Sequence, residues 1–296
     1  MQEILNRQLV SKNRKYSPDI RTFALTLHFY SAHAYNYLRS KFNNLLPHPE
    51  TIRRWYLVIN GKPGFTQESF EAIRLKVKSE PNPVVVNLVL DEMSLRHLID
   101  YQNGRYYGYV DLGTDLNSAG DENVPARNAL VVLAVALNNQ WTLPIAYFLI
   151  NSLKGRERAN IVKNSLELLH ETGALCYSVT FDGASINVNM CNELGTNYNL
   201  GEKFQPYFFH PCTKERVNSI WDACHMIKLL RNTLEARKTL YNSKGEKIEW
   251  RYIEKLQKLE EHEGLRLGTK LTPRHINFYN EKQKVKLAVQ VFSQSV

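Results

Sequence analysis

The chain has 296 residues, of which 43% are hydrophobic and 23% are charged. This ordinary balance excludes an intrinsically disordered chain, and no apolar run approaches the ~18 residues of a membrane span. The formal net charge of +9 favours a polyanionic partner. A polar N-terminus without signal-peptide character, and four cysteines without paired spacing, indicate a reducing compartment.

The N-terminal region reads as a series of short helices. Residues 1–15 predict one polar helix, and Ser17 and Pro18 supply the N-cap and the first position of a second. Two more helices are predicted at Ala32–Phe42 and Glu50–Val58. Three short helices after residue 15 fit a helix-turn-helix fold.

Arg53 and Arg54 lie on the exposed side of the last of these predicted helices. In a helix-turn-helix, such a pair would contact DNA phosphates or base edges. The alternative is a small helical bundle with a solvated basic face, and both interpretations stay open on the residues alone.

Two apolar runs end in acidic residues and predict buried strands. Val84–Ser94 reaches Asp91 and Glu92, and Ala174–Gly183 reaches Asp182. A carboxylate at the end of a buried strand is costly unless a cation lies beside it, which suggests a metal. The alternative is that Asp91 only caps the following turn.

The elements between these two strands predict a ribonuclease-H-like order. Three strand-like runs are followed by an amphipathic helix. The runs are Tyr106–Leu112, Ala129–Leu137 and Trp141–Ile150, and the helix is Gly155–Glu171. The helix would act as a crossover and place the two acid-bearing strands side by side and parallel. Asp91 and Asp182 would then face each other and repel unless a divalent metal binds between them, an arrangement that two-metal phosphoryl transfer needs.

The chain changes character after Asp182. A helix is predicted from about Asn218 to Leu234, and it carries an acid, an imidazole and two cations at three-residue spacings: Asp222, His225, Lys228 and Arg231. This face suits a phosphorylated ligand, and a solvated, salt-bridged face is the alternative. A zinc site built from His210, Cys212, Cys224 and His225 is disfavoured because adjacent helical residues point about 100° apart.

The chain resembles the P-element transposases and the related THAP-domain-containing transposases. The matching stretches run in collinear order from Tyr16 to Val296, and they include YSPDIRTFALTLHFYSAHAYNYLR, LPHPETIRRWY, LDEMSLR, FDGASINVNM, DACHMIKLLRN and KLTPRHI. The resemblance implies an α/β fold with three parts. These are a helix-turn-helix at 1–62, a ribonuclease-H-like mixed-sheet core at 63–200, and a mostly helical, incomplete GTP-binding insertion domain at 201–296.

The resemblance also implies roles for individual residues. Asp91 and Asp182 match the first two carboxylates of the family's Mg²⁺-binding catalytic set. Asp222 would read the guanine of GTP, Lys228 would neutralise phosphate, and Lys270 is a further phosphate candidate. The helix-turn-helix with Arg53 and Arg54 would contact DNA.

Two departures from the family pattern affect the predicted activity. We expect this chain to lack the family's zinc-coordinating THAP finger. The family's third catalytic carboxylate lies downstream of the insertion, in which we expect this chain to end. The prediction is a truncated DNA transposase, with Mg²⁺-dependent cleavage and strand transfer assisted by GTP, located in the nucleus and able to form homo-oligomers. The alternatives are a catalytically inactive DNA-binding remnant that represses transposition, and an interaction protein with a degenerate core.

Overall fold

The computed structural model describes residues 15–58, 60–102, 104–113, 124–201, 203–264 and 269–296. The chain divides into two compact units, Met1–Lys62 and Pro63–Val296. The helix predicted for residues 1–15 falls almost entirely outside the described residues. Within those residues, no helix is both long and apolar enough to cross a membrane.

The first unit contains the three helices expected after residue 15. They are α1 (Pro18–Tyr30), α2 (Ala32–Lys41) and α3 (Pro49–Tyr56). Ser17 caps α1 as predicted, because its Oγ accepts a hydrogen bond from the Ile20 amide at 3.3 Å.

A small buried cluster holds these helices together. Its members come from all three helices and from the segment before α3: Ile20, Ala24, Tyr35, Leu46 and Ile52. The Tyr35 hydroxyl donates to the Pro47 carbonyl at 2.6 Å, which satisfies a buried polar group and fixes the entry to α3.

The second unit begins with the elements of a mixed α/β core. In chain order they are β1 (Gly64–Phe65), α4 (Gln67–Ser79), β2 (Val85–Ser94), β3 (Asp100–Gln102), β4 (Arg105–Tyr107), β5 (Asn128–Ala136), β6 (Thr142–Ile150), α5 (Gly155–Glu171), β7 (Leu175–Phe181), α6 (Ser185–Leu194), β8 (Tyr207–Phe209) and β9 (Arg216–Trp221).

Seven of these strands form one mixed sheet in the order β1-β6-β5-β2-β7-β9-β8. Strand β2 is antiparallel to β5, and β5 is antiparallel to β6. The crossover through α5 brings β7 beside β2 in the parallel direction. The predicted topology is therefore confirmed, with the two acid-bearing strands as neighbours.

Helix α5 packs on this sheet through its apolar face. Val162, Leu166 and Leu169 recur at helical spacing and are fully buried in the same core as Leu88 and Leu90 of β2. Alternate residues of β2 point into this core, because side chains along a strand alternate between the two faces of the sheet.

Two features of the core differ from the sequence expectations. The run Tyr106–Leu112 was predicted as a strand of the core. In the part of the chain that the structure describes, β4 pairs with β3 in a separate two-stranded hairpin, and Asp111 of the run forms an isolated antiparallel bridge to Leu149 of β6. Tyr101, Tyr106 and Tyr107 of this hairpin are exposed, so these aromatic residues form strands, as their β propensity favours, without being buried. Helix α6 was not predicted, because its Asn-rich sequence has a weak apolar pattern.

The helix predicted from about Asn218 starts later than expected. Arg216–Trp221 forms strand β9, which pairs in parallel with β7, and the helix α7 spans Ala223–Arg237. Val217 and Ser219 are the buried alternate positions of this strand. The main sheet thus continues past residue 200, the predicted end of the core.

The remaining elements pack around α7. They are β10 (Thr239–Tyr241), β11 (Lys247–Glu249), α8 (Trp250–Glu263), α9 (Pro273–Ile276), a 3₁₀ turn (Tyr279–Glu281) and α10 (Val285–Val291). Their core is a second buried cluster that includes Leu234, Trp250 and Phe278. This region is mostly helical, as predicted.

Candidate functional site

The register between β2 and β7 brings Asp91 and Asp182 to neighbouring positions. Val89 and Thr180 are the last paired residues of the two parallel strands, and each aspartate lies two residues further on. Carried two residues further, this register places the aspartates opposite each other on strands that lie about 4.8 Å apart where they pair. Asp91 is exposed and Asp182 is half-buried, so both carboxylates lie at an accessible edge of the sheet.

Hydrogen bonds between the same strands show which face they share. The Asn87 Oδ1 accepts from Ser178 Oγ at 2.8 Å and from Thr180 Oγ1 at 3.1 Å. Because side chains alternate along a strand, Asp91 is on the same face of β2 as Asn87. Asp182 follows Ser178 and Thr180 in even steps, at the point where β7 ends.

The hydrogen bonds to Asp182 leave one of its oxygens available. Its Oδ1 accepts from the Ala184 amide at 3.1 Å and from Asn187 Nδ2 at 2.6 Å. Both bonds that the described residues make to this carboxylate go to Oδ1, so Oδ2 is the oxygen that a cation would meet.

This carboxylate pair fits Mg²⁺, which keeps several waters and uses one or two protein carboxylates together with substrate phosphates. Within the described ranges, no group of three or more His, Cys, Asp or Glu residues is placed to hold a metal ion. Asp91 and Asp182 are thus the protein ligands that the structure offers, and the remaining ligands would come from water and substrate.

Glu92, directly after Asp91, is part of a different arrangement. It forms an ion pair with the Nη2 atom of Arg158 in α5, and its Oε2 accepts from Asn128 Nδ2 at 2.8 Å. Arg158 Nη1 donates to Asn187 Oδ1 at 3.0 Å. Sequence reasoning missed Arg158 and Asn187, since neither belongs to an acid-bearing strand.

Asp222 lies next to Asp182 on the other side. Phe181 is paired with Trp221 in the parallel β7–β9 register, and the Asp222 amide donates to the Phe181 carbonyl at 2.9 Å. Asp222 is the N-cap of α7 and not a residue within it, because its Oδ1 accepts from the Cys224 amide at 2.9 Å. The ends of β2, β7 and β9 therefore align three aspartates along one edge of the sheet.

The start of α7 also lies against the loop that follows Asp182. A methyl group added at Gly183 would come within 2.6 Å of the Met226 Cε. A glycine here allows the first turn of α7 to approach the carboxylate edge closely.

The two lysines predicted to contact phosphate, Lys228 and Lys270, lie in different segments of this region. Lys228 lies two turns along α7, and its Nζ donates to Gln283 Oε1 at 3.2 Å. Lys270 is exposed between the buried Thr269 and Leu271.

Arg231 does not share the exposed face that was predicted for it, and this expectation is wrong. It is fully buried, its guanidinium lies 3.9 Å from the centre of the Phe278 ring, and Nη2 donates to the Lys282 carbonyl at 2.7 Å. Burial lowers the pKa of Arg231 from its ordinary value. Its side chain joins α7 to the segment before α10.

In the first unit, Arg53 and Arg54 are both exposed on α3. The Arg53 side chain is 73% exposed and lies 3.7 Å from Glu50, one turn earlier in the helix. A surface pair of this kind is weak, so it leaves both guanidinium groups available to phosphates.

Comparisons with known protein families match most of the chain in three parts, 1–55, 61–195 and 224–296. Residues 61–195 match the TNP-like, RNase H N-terminal domain, and residues 224–296 match the TNP-like, GTP-binding insertion domain. Residues 1–55 match the transposable element P transposase-like, HTH domain.

Two curated relatives and one solved structure are similar to the chain. It is 27% identical to the DNA transposase THAP9 of Homo sapiens over 95% of this chain and 31% of that protein. It is also 27% identical to the transposable element P transposase of Drosophila melanogaster over 94% of this chain and 33% of that protein. The chain thus spans about a third of the length of either relative. The Drosophila P element transposase strand transfer complex shows the same fold, with a TM-score of 0.74 and 24% identity over 98% of this chain and 60% of that one.

Proposed function

The chain belongs to the family of P-element-like transposases, and from this premise we propose that it acts in DNA transposition, by Mg²⁺-dependent strand cleavage and transfer assisted by GTP. The observation that carries the proposal is the parallel register of β2 and β7, which brings Asp91 and Asp182 together at an accessible edge. A divalent metal bound there would activate the attacking oxygen and stabilise the leaving oxygen of a phosphodiester.

Asp91 and Asp182 contribute in different ways to this site. Asp91 presents an exposed carboxylate from within β2, where pairing with β5 on one side keeps the backbone fixed. Asp182 follows the end of β7 and is oriented by two hydrogen bonds. Two like charges this close repel each other, and a shared cation offsets that repulsion.

A metal titration tests this part of the proposal. We expect Mn²⁺, followed by its electron paramagnetic resonance signal, to bind the full chain, and we expect Asp91→Asn and Asp182→Asn each to weaken binding at least tenfold. Asp19→Asn removes an exposed carboxylate from the first unit and serves as the charge-matched control. Equal binding by all three variants would remove the aspartate pair from the metal site.

For the nucleotide, we propose that Asp222 reads guanine and that Lys228 and Lys270 contact phosphate. A carboxylate has about four acceptor positions, so the Asp222 side chain can cap α7 and still accept the N1 and N2 protons of guanine. The matched GTP-binding insertion domain supports the cofactor class.

Replacing one carboxylate oxygen of Asp222 with an amide N–H donor tests whether this residue recognises guanine. We expect Asp222→Asn to weaken GTP binding and to improve binding of xanthosine triphosphate relative to GTP, because xanthine has a carbonyl where guanine has the N2 amino group. The measurement is competition against a fluorescent nucleotide. An equal change for both nucleotides would exclude Asp222 from base recognition.

For DNA, we propose that Arg53 and Arg54 contact phosphates. Replacing both with alanine should reduce the slope of log K against log salt by about 1.8, since each phosphate contact contributes about 0.9. The variant Lys78→Ala with Lys244→Ala removes two exposed charges elsewhere and is the control. An unchanged slope for the arginine variant would contradict the assignment.

A second candidate function is DNA binding without catalysis. Two observations favour it: the helix-turn-helix unit has its own buried cluster, and the described part of the chain offers only a carboxylate pair to a metal. Mn²⁺ binding that depends on Asp182 would argue against it, and DNA binding without any metal binding would support it.

Two further proposals follow from DNA as the substrate. We place the protein in the nucleus, which imaging of a fluorescent fusion would test. We also propose that it can form homo-oligomers, which light scattering of the purified chain with and without DNA would test.

A further inference from the structure

A series of polar contacts, buried at its centre and partly buried at both ends, connects the candidate metal site to other elements of the core. This series of contacts runs from Asn128 through Glu92 and Arg158 to Asn187 and ends at Asp182. Its members come from β5, β2, α5 and α6, which lie far apart in sequence.

The donor and acceptor chemistry fixes the orientation of the Asn187 side chain. Arginine has only donors and an ionised carboxylate has only acceptors. The Asn187 Oδ1 must therefore face Arg158, at 3.0 Å, and its Nδ2 must face Asp182, at 2.6 Å. Reversing the amide would break both contacts at once.

Burial makes this arrangement rigid. Asn187 is 6% exposed and Arg158 is 4% exposed, so neither can replace its partners with bulk water. Glu92 compensates the buried guanidinium charge and is itself held by Asn128. The guanidinium is thereby fixed from β2 and β5, and it in turn fixes Asn187.

The end of the chain of contacts determines how Asp182 is presented. Asn187 and the Ala184 amide both donate to Oδ1, which leaves Oδ2 as the oxygen available to a cation. We infer that Asn187, oriented by Arg158 and Glu92, is a positioning residue that sets the rotamer of Asp182 for metal binding. This inference rests on the proposed metal site, and outer-shell partners of this kind commonly change metal affinity by about 10–100-fold.

The test compares Asn187→Ala with a matched variant of the same helix. Cys191 is fully buried on α6 one turn after Asn187, so Cys191→Ala disturbs the packing of α6 without removing a contact to Asp182. Mn²⁺ affinity is measured on the full chain well below the melting temperature of each variant. We expect about a tenfold loss for Asn187→Ala and less than a twofold change for Cys191→Ala.

Arg158→Met provides a second route to the same conclusion. It leaves Asn187 in place but removes the group that orients it, and we expect several-fold weaker Mn²⁺ binding. If this variant does not fold, Asn187→Ala alone decides. Crystal structures of the metal-free proteins would add a readout that is independent of metal: one Asp182 rotamer in the parent chain and more than one in Asn187→Ala.

The outcomes distinguish the positioning role of Asn187 from the metal site itself. If the parent binds Mn²⁺, Asp182→Asn abolishes binding and Asn187→Ala binds like the parent, the positioning role is refuted while the metal site stands. A similar loss in Cys191→Ala and Asn187→Ala also refutes it, because general loosening of α6 would then be the cause. If Asp182→Asn binds like the parent, the metal site and the inference fail together.

Discussion

Removing the Arg158 guanidinium should cost the second unit a large part of its stability. The Arg158 side chain is 5% exposed and that of Glu92 is 26% exposed, so Arg158→Met would leave a largely buried carboxylate without its countercharge. Breaking a buried ion pair in this way typically costs about 3–5 kcal/mol. We expect about 3 kcal/mol, the lower end, because Glu92 keeps some contact with water.

A loss of this size is readily measured. For a unit of this length it corresponds to roughly 6–12 °C in melting temperature. Thermal and urea denaturation of the full chain, followed by circular dichroism, would give the change in the free energy of unfolding. Arg156→Met, an exposed arginine of the same helix, is the control and should change stability by less than about 0.5 kcal/mol.

The double variant separates the ion pair from simple packing. Arg158→Met with Glu92→Leu removes both charges and fills the volume with apolar groups, and it should recover most of the stability that Arg158→Met loses. The reasoning would be refuted if Arg158→Met were as stable as Arg156→Met. It would also be refuted if the double variant simply added the losses of the two single variants.

Packing and burial lead to three further predictions. Gly155→Ala should destabilise the protein by about 1–3 kcal/mol, because the new Cβ would lie 2.8 Å from the Asn189 Cβ, whereas Gly201→Ala, which meets nothing within 4 Å, should be close to neutral in urea denaturation. Burial raises the pKa of the Cys176 thiol to about 12, so the native protein should leave Cys176 unmodified at pH 8 while a thiol reagent labels the exposed Cys212. Because the folded state binds this proton more tightly, stability should fall as pH rises from about 9 towards 12, as urea midpoints would show.

The two strands that end in acidic residues could be predicted, because the sequence pattern that indicates each strand lies within one short segment. Val84–Ser94 and Ala174–Gly183 are apolar runs of strand length, and each ends in a carboxylate that is costly to bury. The crossover helix between them is strongly amphipathic, and the handedness of such connections leaves few topologies. The neighbouring positions of Asp91 and Asp182 followed from these features together.

The boundary between strand β9, which ends at Trp221, and helix α7 could not be predicted in the same way. RVNSIW alternates only weakly in polarity, and it becomes a strand because β7 offers it a parallel partner. The spacing of Asp222, Lys228 and Arg231 suggested one helical face. Asp222 instead caps α7, and the fold buries Arg231.

The sequence by itself determined the Ser17 cap, the two buried strands and the aspartates at their ends, because each depends on residues that are close along the chain. Only the tertiary structure decided which polar side chains meet behind those aspartates. Arg158 reads as one more charged residue of an amphipathic helix, and it becomes a buried link between Glu92 and Asn187 only when three distant elements are packed together. Contacts of that kind depend on long-range register and burial, which no local pattern encodes.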